Sequence, residues 1–196
     1  IQVGKENVIA VIGDGSLSGG EAFEGLNIVS ELGTNAIVVV NDNDMSIAEN
    51  HGGLYQHLRE LRESNGTCAQ NYFRTLGLDY IYLEEGNDVA KLVEVFQRVK
   101  DIDHPIVVHI HTEKGHGFQP AIDNKEQWHW HFPFNEDGSL RKPRKQREYM
   151  PAMLGQWLRE EMKQNPKLVC LSAGVPAILG FDAETRQKVG AQHFDV

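Results

Sequence analysis

The stretch Val8-Ile9-Ala10-Val11-Ile12-Gly13-Asp14-Gly15-Ser16 decides the fold. Its first five residues form a continuous apolar run that stops at a glycine. This is the pattern of a strand buried on both faces of a parallel sheet. Gly13 to Ser16 then reads as a tight turn. From Gly20 onward, Ala22, Phe23, Leu26 and Val29 recur at spacings of three and four, which predicts a helix ended by Gly33. A second apolar run, Ala36-Ile37-Val38-Val39-Val40, halts at Asn41-Asp42-Asn43. Strand, helix and strand in this order predict a right-handed parallel crossover.

The same alternation continues downstream. His57 to Glu63 reads as a charged, solvent-facing helix, and Tyr80-Ile81-Tyr82-Leu83 as a third strand. Asp88 can cap a helix whose apolar face would be Val89, Leu92, Val93 and Phe96. Pro105 precedes a fourth strand, Ile106 to Ile110. The expected fold is therefore α/β, a doubly wound, mostly parallel sheet. Composition changes after Asn135, where a turn-like segment runs into the basic, proline-containing stretch Arg141 to Arg147, read as a solvated linker. A helix with Met153, Leu154, Trp157 and Leu158, then a strand at Leu168 to Leu171, open a second α/β domain. The expected boundaries are 1–135, a linker 136–150, and 151–196. The chain opens at Ile1 on a strand-like segment and closes on His193-Phe194-Asp195-Val196, which reads as a piece cut from a longer chain.

Composition narrows the function classes. The 196 residues are 40% hydrophobic and 24% charged, which excludes a disordered chain. No apolar run reaches the roughly 18–20 residues of a membrane helix. A formal charge of −9 argues against general binding to nucleic acid or anionic membranes. Two distant cysteines, Cys68 and Cys170, make neither a disulfide framework nor a zinc ribbon, and a reducing, cytoplasmic setting is expected.

Chemistry concentrates in the two turns. Asp14 and Asn43 each lie just past a strand, at the carboxyl ends that line the ligand crevice of a parallel sheet. Gly13 and Gly15 allow the backbone to approach a phosphate closely, and the helix beginning near Gly19 aims free N–H groups at the same place. A carboxylate beside an amide oxygen offers two hard oxygen ligands. Mg²⁺ takes such ligands and shares its octahedron with phosphate oxygens. The combination predicts a Mg²⁺-diphosphate site, although Gly-Asp-Gly by itself reads first as an ordinary turn. His109 and His111 share one strand face, as a zinc pair would, but no Cys or acidic residue has matching spacing.

Gly13-Asp14-Gly15, 27 intervening residues and then Asn43 resemble the thiamine diphosphate motif. The flanks, Ser16-Leu17-Ser18-Gly19-Gly20-Glu21-Ala22-Phe23-Glu24-Gly25-Leu26-Asn27 and Asn41-Asp42-Asn43-Asp44-Met45-Ser46-Ile47-Ala48-Glu49-Asn50, are similar to the 1-deoxy-D-xylulose-5-phosphate synthase family. So are Lys114-Gly115-His116-Gly117-Phe118-Gln119-Pro120-Ala121, Trp128-His129 and the closing His193-Phe194-Asp195-Val196. The resemblance implies a transketolase-like enzyme that condenses pyruvate with glyceraldehyde 3-phosphate, with loss of CO₂, to 1-deoxy-D-xylulose 5-phosphate. It implies thiamine diphosphate and Mg²⁺ as cofactors and a homodimer as the working state. Asp14, Asn43 and the Met45 main-chain carbonyl would be the metal ligands. Gly15 and Ser16 would lie against the diphosphate, with Lys114 near its phosphate end. His129 would exchange protons near the reacting carbon, though it reads equally as a structural histidine. Ile47 would support the cofactor, and it reads equally as core; Met45 also has a core reading.

Three departures accompany the resemblance. The segment between Leu54 and Tyr80 is much shorter than the family's. Glu84-Glu85-Gly86-Asn87-Asp88 matches the family's corresponding segment cleanly only at Gly86 and Asp88. The family's first histidines, its activating glutamate and its sugar-phosphate arginines have no counterpart in these 196 residues. The chain alone is therefore expected to be inactive. The alternatives are another transketolase-type ketol transferase and a non-catalytic diphosphate-binding fragment or subunit.

Overall fold

A computed structural model describes residues 6–139, 141 and 149–196. The chain divides into two compact units, residues 1–46 with 52–125, and residues 47–51 with 126–196. In the first unit the elements run β1 (Val8–Gly13), α1 (Asp14–Leu17), α2 (Gly20–Glu31), β2 (Ala36–Asp42), α3 (Gly53–Glu63), α4 (Tyr72–Thr75), β3 (Asp79–Leu83), α5 (Val89–Val99), β4 (Ile106–His111) and α6 (Gln119–Asp123). The four strands form one sheet in the order β1-β2-β4-β3, and every pair is parallel. The expected α/β fold with a parallel sheet is what the chain adopts.

Strand parity sends alternate side chains to opposite faces. On one face Val38 and Val40 of β2, Tyr80 of β3 and Val107 of β4 pack with Leu26 of α2, Leu58 and Leu61 of α3 and Phe73 of α4. On the other, Ile37, Val39, Ile106, Val108 and Ile110 pack with Val95 and Val99 of α5. Both faces of β2 and β4 are thus covered, which explains why these strands read as unbroken apolar runs.

Three local expectations are corrected. β1 forms as expected, but among the described residues it pairs only with β2, and Val8, Ile9 and Val11 are exposed. An apolar run records a tendency toward burial, and an edge strand lacks the neighbours that supply it. The charged helix α3 does not simply face solvent, because Tyr55, Leu58 and Leu61 line a buried stripe beneath its charges. Spacings of three place them on one face, and the charges occupy the other. In α5 the buried face is Val95 and Val99, with Leu92 and Phe96 beside them, while Val89 and Val93 are exposed. Asp88 caps α5 as expected, accepting from Ala90 N–H and Lys91 N–H.

The second unit contains α7 (Met150–Gln164), β5 (Cys170–Ser172), α8 (Ala183–Val189) and β6 (His193–Asp195), with β5 and β6 parallel. Arg159 of α7 donates to the carbonyls of Leu179 and Gly180 and lies over Phe181, which stacks on His193. Gly155 sits so close to this segment that a Cβ there would meet the Leu179 carbonyl oxygen at 1.7 Å. Most of the predicted linker (Leu140 and residues 142–148) lies outside the described residues. Among the described residues no helix is long and apolar enough to cross a membrane.

Candidate functional site

Sheet register places the two turns side by side. Gly13 pairs with Asn41 across β1 and β2, so Asp14 opens α1 at the same sheet end where Asn43 leaves β2. Asp14 is buried, with 2% of its surface exposed. Asn43 is half-buried, and its Oδ1 is a buried acceptor without a hydrogen-bond partner. A buried amide oxygen ordinarily finds a donor. An orphaned amide oxygen at the sheet end where Asp14 is buried is a donor of the kind that hard divalent cations take.

The two turns also touch. A Cβ on Gly15 would lie 2.6 Å from Ser46 Oγ and 2.8 Å from Ser46 Cβ, so only glycine permits this approach. The Tyr55 hydroxyl, from α3, lies 3.2 Å from the Gly15 carbonyl and 2.7 Å from Ser18 Oγ. Lys114, three residues beyond β4, donates through Nζ to the Ser46 carbonyl. Gly13, Asp14, Gly15, Ser16, Asn43, Met45 and Lys114 therefore belong to one unit, and Gly15, Ser46 and Lys114 are in mutual register. Ser16 is exposed, and Met45 is half-buried. Ile47 and His129 fall in the second unit, His129 at the end of a short turn of 3₁₀ helix, Gln127–His129.

Around Asn43 runs a buried polar chain that sequence reading missed. Asp42 and His109 are both 0% exposed. His109 Nε2 lies 2.9 Å from Asp42 Oδ2, and its Nδ1 lies 2.8 Å from the Tyr80 hydroxyl. Arg62, from the end of α3, donates from Nη1 to Asp42 Oδ2 at 2.5 Å, and its Nη2 lies 2.8 Å from Asp44 Oδ1. The Asp44 N–H closes the turn onto Asp42 Oδ1 at 3.0 Å, with Asp44 at φ +60°. Burial pushes the Asp42 carboxyl up, but the hydrogen bond from His109 and the Arg62 charge outweigh it and hold the group at about 2. Burial likewise raises the Tyr80 hydroxyl, reinforced by the Asp42 charge. The available signals were a lone histidine inside the apolar run Ile106 to Ile110 and an aspartate in the middle of Asn-Asp-Asn. Neither shows that 67 residues of sequence separation close into a contact.

Beside this chain a polar cavity of about 760 Å³ is lined by Asn43, Asp44, Arg59, Arg62, Glu84 and His111, among others. Glu84 accepts from the Tyr82 hydroxyl and lies 3.0 Å from His111 Nδ1, and the hydrogen bond from Tyr82, foremost, lowers its carboxyl. Gly86 is the one residue that fits against the His111 carbonyl, where a Cβ would stand 2.3 Å away. Its N–H donates to that carbonyl at 2.9 Å, and Asn87 Oδ1 accepts from Glu113 N–H. Among the described residues no group of three or more His, Cys, Asp or Glu is arranged to hold a metal, so the zinc reading of His109 and His111 gains no support. His109 spends both ring nitrogens on Tyr80 and Asp42.

The fold is thus a parallel α/β sheet in which the Gly13-Asp14-Gly15 segment packs on the turn that carries Asn43 at the carboxyl ends of the strands, where ligands gather in such sheets. The profile of the family described as 1-deoxy-D-xylulose-5-phosphate synthase matches residues 1–69 and 63–112. The chain is 35% identical over 178 residues to the 1-deoxy-D-xylulose-5-phosphate synthase of Listeria monocytogenes serotype 4b, covering 86% of this chain and 29% of that protein. It is 32% identical to 1-deoxy-D-xylulose-5-phosphate synthase 1 of Geobacter sulfurreducens, covering 92% and 35%. It is also 32% identical to the Shewanella frigidimarina synthase, covering 100% and 37%. The chain belongs to the 1-deoxy-D-xylulose-5-phosphate synthase family. It spans about a third of the length of the curated relatives it matches. The two profile matches meet at residues 63–69, within the segment between Leu54 and Tyr80. Here α3 turns through Asn65 and Gly66, both at positive φ, and leads directly to α4.

Proposed function

We propose that this chain carries the diphosphate-binding part of the active site of a 1-deoxy-D-xylulose-5-phosphate synthase. The whole protein would be a transketolase-type transferase that condenses pyruvate with glyceraldehyde 3-phosphate, with loss of CO₂, to the precursor of isoprenoid, thiamine and pyridoxal synthesis. The observation that carries this reading is the buried, partnerless Oδ1 of Asn43 at the same sheet end as the buried Asp14.

Asp14, Asn43 and the Met45 carbonyl would hold Mg²⁺, whose preference for oxygen ligands in a near-octahedral set suits this donor group. Gly13, Gly15 and Ser16 would lie along the diphosphate. Lys114 would place its charge at the phosphate end. Ile47 would support the cofactor, and His129 would hold or move a proton near the reacting carbon. Thiamine diphosphate, when bound, supplies the acidic carbon on which two-carbon transfer depends. The working state would be a cytoplasmic homodimer. These 196 residues alone would not turn over pyruvate and glyceraldehyde 3-phosphate, because the activating glutamate and the sugar-phosphate arginines of the family are not among them.

Calorimetric titration of the whole protein with Mg²⁺ and thiamine diphosphate tests the reading. Binding that Asp14→Asn and Asn43→Ala each abolish is the expected result. Undiminished binding in both variants would overturn it.

A further inference from the structure

We infer that Arg62 is a positioning residue whose two-armed guanidinium, with the buried Asp42–His109–Tyr80 chain behind it, sets the conformation of the turn that presents Asn43. The inference rests on the proposed metal-diphosphate reading of that turn and names the device that prepares it. Asn43 is flanked by two aspartates, Asp42 fully buried and Asp44 half-exposed, and both carboxylates are engaged by Arg62. Arg62 spans both of them, Nη1 to Asp42 and Nη2 to Asp44. Asp44 stands at φ +60°, in the left-handed region, where its N–H bonds to the Asp42 carboxylate and its own carboxylate meets Arg62. Asp42 is in turn anchored from beneath by His109, itself wedged among Phe73, Tyr80 and Tyr82 rings. All these links fasten the residues on either side of Asn43, and none takes up the Asn43 Oδ1, which stays buried without a donor. The arrangement is that of partners that orient a ligand without being one, and loss of such partners typically lowers metal affinity by roughly 10–100-fold.

Arginine is required by the geometry. A planar fork can reach two carboxylates at once, whereas a lysine ammonium is a single point charge. Arg62 comes from the last turn of α3. Its neighbour in the chain, Leu61, is fully buried in the cluster that α3 forms with the sheet, so the guanidinium is carried on a packed helix end.

The test is the Mg²⁺ dissociation constant of the whole protein at saturating thiamine diphosphate, read by calorimetry. Four variants are compared with the unsubstituted protein: Arg62→Met, Arg62→Lys, Leu58→Ala and Asn43→Ala. Arg62→Met should weaken Mg²⁺ at least ten-fold while turnover at saturating Mg²⁺ falls less than three-fold. Arg62→Lys, which keeps the charge, should fold and lie between. Leu58→Ala lowers the melting temperature through the same helix and should leave the constant within two-fold, which separates positioning from general destabilisation. If Arg62→Met does not fold, Arg62→Lys decides the matter, and a constant equal to that of the unsubstituted protein overturns the inference. Equal constants for Arg62→Met and the unsubstituted protein, with Asn43→Ala defective, also overturn it. If the unsubstituted protein binds no Mg²⁺ with the cofactor, or Asn43→Ala binds normally, the underlying site reading fails instead.

Discussion

Replacing Gly15 by alanine should separate the two turns that form the candidate site. Gly15 lies within α1, so alanine meets no backbone penalty there, and the effect is steric. The new Cβ would stand 2.8 Å from Ser46 Cβ, 2.6 Å from its Oγ and 3.1 Å from its Cα. Carbon atoms pack at about 3.5–4.0 Å, so the turns must part by about 1 Å. Overpacking of this kind costs about 1–3 kcal/mol of stability. The functional cost should be larger, because Mg²⁺ demands ligands near 2.0–2.1 Å and a displacement of about 1 Å at a reacting centre can cost about 100-fold. Lys114 holds Ser46 through the backbone carbonyl, so the loop cannot yield without moving that cation as well. The assay pairs calorimetric titration of Mg²⁺ and thiamine diphosphate with thermal melting of the whole protein. Gly15→Ala should fold with a lowered melting temperature and bind at least ten-fold more weakly. Adding Ser46→Gly removes both offending side-chain atoms and should recover most of the binding. Cofactor affinity unchanged in Gly15→Ala, or no recovery in the double variant, would refute the argument.

Other substitutions check the fold and its titration. Leu58→Ala, at a fully buried position in the larger cluster, should lose about 2–5 kcal/mol in denaturant unfolding. Asn71 caps α4 by accepting from Phe73 N–H and Arg74 N–H, and Asn71→Ala should cost about 1 kcal/mol by the same measurement. His193 is depressed by burial, with Asp195 opposing and Arg186 assisting. A depressed histidine contributes stability that is present above its unfolded value of about 6.5 and is lost as pH falls through the folded value. The melting temperature should therefore decline on acidification from pH 7, and His193→Gln, which can still donate to Ser172 Oγ, should flatten that slope.

Much of the architecture was legible in the residue order. Apolar runs of four or five residues between helical periodicities marked the four strands of the first unit, because strands covered on both faces need apolar residues at every position. The ends of β1 and β2 were legible to within a residue or two because strands are punctuated by glycine and asparagine, but the expected tight turn at Gly13 to Ser16 is the short helix α1, and Asn41 and Asp42 still belong to β2. The same signals misled where burial depended on a neighbour. Val8, Ile9 and Val11 have the composition of a central strand and stand at an edge. The stripe beneath the charges of α3 escaped a reading weighted by charge.

What the sequence determined by itself is therefore local and periodic: strand and helix identity, the parallel sheet, the cap at Asp88 and the two strand ends past which Asp14 and Asn43 stand. Tertiary structure alone decided which turn atoms meet and what holds them. Gly15 must be glycine because Ser46, thirty-one positions later, comes within van der Waals distance of it. Asp42, Arg62, His109 and Tyr80 join only because strands β2, β4 and β3 lie side by side out of chain order, with α3 packed on one face. Periodicity is a property of neighbours in the chain. A buried ion pair is a property of neighbours in space, and no spacing in the sequence encodes the strand order that creates it.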